Sequence, residues 1–148
     1  MAREPPGVVE LSVAIAAAPA EVWRAITVPA LTERWMGGFQ MSSSWEVGGS
    51  LVIAGRLNGR DYSETGVVLA AQPPTLLRYD HWSRLWRVPD LPANRAVMTI
   101  RITPDDDDVT RVSLKHELPA VEAIVPHSRF FWTVALEQLR KLLEAGQS

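Results

Sequence analysis

Cysteine is absent from the 148 residues, so disulfides, thiolate zinc sites, cysteine-held iron–sulfur clusters and a thiol nucleophile are all excluded. Long apolar runs are absent too, and nothing approaches the roughly 18 residues that a membrane-spanning helix needs. The opening Met1-Ala-Arg-Glu-Pro-Pro-Gly7 lacks the apolar centre of a secretory signal, and a cytoplasmic location is expected. There is no excess of basic charge. Fifteen Lys and Arg face seventeen Asp and Glu, a net charge of -2, which leaves no field to draw in nucleic acid. The common catalytic signatures are missing as well: no HExxH, no GxGxxG, no P-loop lysine and no GxSxG elbow. The three histidines, His81, His116 and His127, are far apart in sequence, and no metal or cofactor is expected.

Tyr and Phe are also scarce, at two and three, yet there are six Trp, which suggests a wide interior or an aromatic-lined site. An apolar share of 47% against 22% charged is a globular balance, and the length suits one domain over residues 1–148.

Along the chain, Val9, Leu11, Val13 and Ile15 alternate with polar or small residues and predict a half-buried strand. Pro19 opens a short helix over 20–27 and Pro29 a second over 30–36, which Gly37-Gly38 stops. Strand character then dominates to about residue 118. A short strand is predicted over 43–47, followed by one around Leu51, Ile53 and Leu57. Asn58-Gly59 is the strongest hairpin signal, and its returning strand runs over about 60–71. Strands over 75–82, 97–103 and 109–118 follow, with Asp105–Asp108 read as a solvated hairpin end that lacks calcium-loop spacing. In the tail, Trp132, Leu136, Leu139 and Leu143 are spaced 4, 3 and 4, predicting an amphipathic helix over roughly 126–145. The order is strand, two short helices, six strands, long helix. That is an α+β arrangement, a curved antiparallel sheet with a helix laid across it.

The alternation puts Tyr79 and His81 on the inward face of one strand and His116 on that of another. Each imidazole is either a paired core group or a polar group facing a ligand. Glu64 and Arg56 are read as a surface pair across the hairpin. Trp23 and Trp132 are assigned to helix-to-sheet packing, and Trp35, Trp82 and Trp86 are candidates for a cavity wall. Apolar residues in two loops, 84–94 and 119–125, are of the kind that closes over a cavity.

Several segments together resemble a known family. Ala17-Ala-Pro-Ala-Glu-Val-Trp-Arg-Ala-Ile-Thr-Val-Pro29, Leu31-Thr-Glu-Arg-Trp35, Trp45-Glu-Val-Gly-Gly49 and Gly66-Val-Val-Leu followed by Pro73-Pro-Thr-Leu-Leu77 form the first part of the pattern. Thr99-Ile-Arg-Ile-Thr-Pro104, Thr110-Arg-Val-Ser-Leu-Lys-His116 and the Trp132-to-Gly146 tail complete it. The ordered set resembles the START-like, or SRPBCC, superfamily and within it the branch named after the activator of the Hsp90 ATPase. The resemblance implies a helix-grip fold, in which a seven-stranded antiparallel sheet curves around a long C-terminal helix over an apolar cavity. It carries no universal catalytic motif. The wall of such a cavity would be drawn from Trp35, Tyr79, His81, Trp82, Trp86, Met98, Ile100, His116, Phe131 and Ala135. Three functions follow as expectations. The first is a module that binds a small apolar or aromatic ligand. The second is a cyclase/aromatase-like or hydrolase-like enzyme using His81, His116 and Tyr79. The third is a chaperone-related or stress-response interaction protein. Exposed strand edges also make a homodimer an expected partner state.

Overall fold

The computed structural model describes residues 7–146. The elements run β1 (Val8–Ile15), α1 (Pro19–Thr27), α2 (Pro29–Trp35), β2 (Gln40–Ser43), β3 (Ser50–Leu57), β4 (Arg60–Gln72), β5 (Leu76–His81), β6 (Ala96–Asp106), β7 (Val109–Glu117) and α3 (Ile124–Ala145). Two short 3-10 turns, Arg84–Trp86 and Pro92–Asn94, sit between β5 and β6. The strands form one seven-stranded sheet in the order β1-β7-β6-β5-β4-β3-β2, each neighbouring pair antiparallel. The long helix lies on the inner face, which is the helix-grip arrangement.

Local chemistry explains each piece. The alternation in β1 fully buries Val9 and Ile15 and partly buries Leu11 and Val13. Asn58 and Gly59 both take positive φ, 53° and 78°, as a two-residue hairpin turn requires. That turn fixes the register of β3 on β4: Leu57 opposite Arg60, Arg56 opposite Asp61 and Ile53 opposite Glu64. The two short helices begin on prolines, whose missing N–H costs nothing there. The Trp35 indole donates to the Ala25 carbonyl at 2.9 Å and locks α2 against α1. The Thr32 hydroxyl donates to the Pro29 carbonyl and accepts the Met41 amide at 2.9 Å, tying α2 to β2. One stripe of α3, comprising Ser128, Trp132, Ala135, Leu136 and Leu139, is buried. It packs into a core that includes Ile15, Ile26, Leu51, Leu77, Ile100, Ile102 and Val112. At the other end of the helix, Glu144 accepts the Ala16 amide at 3.0 Å.

Some boundaries differ from the sequence reading. The strand expected over 43–47 lies earlier, at Gln40–Ser43. The chain leaves the ladder there because Trp45 turns to φ 62° and its indole donates to the Thr27 carbonyl, pinning the loop on α1. The last helix starts at Ile124, so Pro126 falls inside its first turn. Strand β6 continues to Asp106, which pairs with Val109 past an irregularity at Asp105. The two apolar loops meet each other. Trp86, Val121 and Val125 pack with Val9, Ala96, Leu118 and Ile124 in a second, smaller cluster near the start of α3.

Candidate functional site

Period two places Tyr62, Glu64, Gly66 and Val68 of β4 on the inner face, together with Tyr79 and His81 of β5, Ala96 and Met98 of β6, and His116 of β7. His81 has the two smallest neighbours in the sheet, Gly66 on one side and Ala96 on the other. Glycine is required at the first. A Cβ on Gly66 would lie 2.0 Å from the Asp80 carbonyl oxygen. With small residues on both flanks, the imidazole of His81 reaches across the sheet in both directions.

The result is a buried chain of hydrogen bonds. His81 Nδ1 lies 2.7 Å from Glu64 Oε1, and His81 Nε2 lies 2.9 Å from His116 Nε2. His116 Nδ1 lies 2.7 Å from the hydroxyl of Ser128 on α3. On the other side the Tyr62 hydroxyl donates to Glu64 Oε2 at 2.5 Å and lies 2.5 Å from the Ser83 hydroxyl. Proton bookkeeping fixes the Glu64 end of this chain. The Glu64 carboxylate accepts on both oxygens, from Tyr62 and from His81 Nδ1–H. Between the two Nε2 atoms one ring donates and the other accepts, and the Ser128 hydroxyl, which can do either, takes the complementary role at His116 Nδ1. Ser83 donates to Tyr62 and accepts the Leu85 amide at 3.2 Å.

Burial, reinforced by His81, holds the His116 pKa well below the usual 6.5, so its ring is neutral at pH 7. Burial first, then the hydrogen bond to Glu64, pushes the Tyr62 phenol up to about 12, keeping it a donor. Tyr79 is raised above its ordinary value, mainly by burial and further by Glu64.

Aromatic rings frame the chain. Trp86 lies 5.6 Å and Tyr79 5.9 Å from the His81 ring, and Trp132 sits edge-on to His116 at 6.2 Å. Trp132 also meets Phe131 at 5.0 Å and Trp35 at 6.3 Å. The Arg84 guanidinium covers the Tyr62 ring at 4.9 Å from its centre. The structure therefore gathers Tyr79, His81, Trp86 and His116 of the candidates into one group, with Trp35 and Phe131 joined to it through Trp132. Met98 stands opposite both His116 and Tyr79 in the ladder, and Ile100 and Ala135 belong to the adjoining buried core. Trp82 is turned elsewhere, its indole donating to the Val88 carbonyl within the β5–β6 loop. Two open grooves of about 380 Å³ lie against polar residues including Glu10, Ser12, Ser113, Lys115 and Arg129, away from the histidine chain.

Sequence reasoning missed Tyr62, Glu64, Ser83 and Ser128. Glu64 does not face Arg56. The hairpin register puts Arg56 opposite Asp61, 3.7 Å away and largely in solvent, and turns Glu64 inward. Trp132, assigned to packing, also contacts His116. Among the described residues no group of three or more His, Asp or Glu is arranged to hold a metal ion. No described helix is long and apolar enough to cross a membrane.

Comparison with known proteins follows the same lines. Residues 16–144 match the family model described as activator of Hsp90 ATPase homolog 1-like protein. A protein from Cytophaga hutchinsonii, solved in solution, is 31% identical, with a TM-score of 0.80, over 97% of this chain and 98% of that one. The Aha1 dimer from Colwellia psychrerythraea is 19% identical, with a TM-score of 0.74, over 96% and 99%. An HSP90 activator from Plasmodium falciparum is 17% identical, with a TM-score of 0.74, over 93% and 96%; at these identities the last two speak for the fold. A search of curated protein sequences returned no match.

Proposed function

Because the chain belongs to the activator of Hsp90 ATPase homolog 1-like family and carries a buried polar chain beneath its long helix, we propose that it is a single-domain binding protein for a small apolar or aromatic molecule. The ligand would lie between α3 and the inner face of the sheet. The observation that carries this reading is the run Glu64–His81–His116–Ser128, which links the sheet to the helix. A well-packed apolar cluster would hold the same elements together at least as well, since burying ionisable groups gains little stability. Polar groups converging inside an apolar, aromatic frame are what a small-molecule site requires. A chain without cysteine suits a reducing cytoplasm. Titration with fatty acids, flavonoids and polyketides, followed by tryptophan fluorescence, tests the reading. Trp86 and Trp132 touch the two imidazoles, so binding changes their emission. Unchanged emission across the panel, with no heat in calorimetry, overturns it.

Two other readings have support of their own. The 2.9 Å contact between His81 and His116, backed by Glu64, is a path along which a proton can move, which favours a cyclase- or hydrolase-like enzyme. It requires turnover that His81→Gln abolishes while ligand still binds. Phe130 and Val134, one helical turn apart on α3 and 72% and 46% exposed, favour an interaction protein, as does the likeness to an HSP90 activator and to a dimer. That reading requires stimulation of the organism's Hsp90 ATPase that Phe130→Ala removes. Light scattering reports directly on a homodimer.

A further inference from the structure

We propose that the interior site takes an uncharged ligand carrying a carbonyl oxygen, and that the Tyr79 hydroxyl is the donor that holds it. This rests on the small-molecule reading above and names the chemistry of that ligand.

Tyr79 is 1% exposed, at the centre of the sheet's inner face between Val68 and Met98. The other inner-face hydroxyls of this region are engaged: Tyr62 by Glu64 and Ser83, and Ser128 by His116. The Tyr79 hydroxyl has no hydrogen-bond partner among the described residues, although its ring packs on His81. No fully enclosed side-chain nitrogen or oxygen among those residues lacks a partner. The small surface left to Tyr79 therefore includes its oxygen, which is not fully enclosed. A buried hydroxyl without a partner is costly, and native proteins seldom leave one so.

The surroundings select the partner. Burial and Glu64 both disfavour the phenolate, so the hydroxyl stays protonated and offers a proton. The same Glu64 carboxylate disfavours an anion at this point. Its two oxygens are already engaged by Tyr62 and His81, so it offers a cation little in return. A neutral carbonyl satisfies the donor without importing charge. The body of the ligand meets Val68, Leu77, Met98 and Ile100, all buried. Met36, Met41 and Met98 lie in this core, and unbranched thioethers re-pack around an incoming ring more readily than branched side chains.

Matched pairs that differ only at the carbonyl make the test: 1-indanone against indane, and 9-fluorenone against fluorene, by isothermal titration calorimetry on the whole chain. The wild type is expected to bind the ketone of at least one pair tenfold or more tighter than its hydrocarbon. Tyr79→Phe, which keeps the ring, is expected to abolish that preference and leave hydrocarbon binding within twofold. Indane-1-carboxylate is expected to bind more weakly than indanone. Equal binding within both pairs overturns the Tyr79 assignment and leaves the small-molecule reading standing. A preference that survives Tyr79→Phe does the same. If none of the four compounds binds, the hydroxyl serves a solvent molecule only, and the inference falls; the broader reading falls as well only if the fatty-acid, flavonoid and polyketide panel is also silent.

Discussion

The two ends of α3 press on the same sheet, and the sheet answers them differently. Toward the C-terminal end, Leu136 and Leu139 belong with Ile15, Ile102 and Val112 to the main buried core, and none of these side chains carries a polar atom. Toward the N-terminal end, Ser128 and Trp132 meet His116, and through it His81 and Glu64. Both ends are buried, and they are held differently. The first is held by contact area, which is non-directional and roughly proportional to surface removed from water. The second is held by directed bonds, each of which leaves a partner stranded if it is removed. A region built in the first way anchors the helix; a region built in the second fixes the position of particular atoms.

The sharpest way to break the apolar end is Leu139→Ala. The side chain is fully buried, and its loss is expected to cost about 3 kcal/mol in urea unfolding, from the lost burial of the removed carbons together with the cavity left behind. At the polar end, Glu64→Ala strands His81 Nδ1–H and removes one partner of Tyr62; a loss of about 2 kcal/mol is expected by the same method. A loss below 0.5 kcal/mol there would mean that water replaces the carboxylate and that the chain is not a closed unit.

The next effect separates the two ends by pH. The folded-state pKa of His116 lies below its unfolded value of 6.5, so the unfolded chain binds the proton more readily. Stability is therefore full above pH 6.5 and falls as pH drops below it, by about 1.4 kcal/mol per unit at most from this one group. His116→Asn should lose less stability between pH 8 and 5.5 than the wild type does, while Leu139→Ala should keep the wild-type slope. Parallel curves for all three proteins would remove His116 from the account. The smallest effect belongs to Arg56→Ala. Its pair with Asp61 is 70% and 95% exposed, so a change within about 0.5 kcal/mol is expected, and a larger one would give this pair a role that its exposure denies.

The sequence announced the apolar end more clearly than the polar one, for a physical reason. Burial of carbon leaves a periodic trace, and the 4, 3, 4 spacing from Trp132 to Leu143 is that trace. The alternation of Val9 to Ile15 and the Asn58-Gly59 turn were readable in the same way. Tyr79, His81 and His116 were legible as inward because they keep the phase of their apolar neighbours. Glu64 was not, because a carboxylate beside a hairpin reads as a surface group. The turn did carry the missing information: counting back from Leu57 opposite Arg60 sets Glu64 opposite Ile53. Ser128 stands four residues before Trp132, on the same helical stripe, and its small polar side chain hid it. Ser83 lies just past β5, where no period applies.

One consequence concerns Gly66, whose backbone passes so close to β5 that no side chain fits. Every group that could exchange a proton or grip a ligand would survive its replacement by alanine. What would be lost is the spacing, since the added methyl would force β4 away from β5 and carry Glu64 off His81. Inheritance of the hydrogen-bonded chain through this fold thus hangs on a residue that contributes no chemistry at all. A relative that keeps both histidines, the glutamate and the tyrosine but carries a larger residue at this position would have lost the site while appearing to retain it.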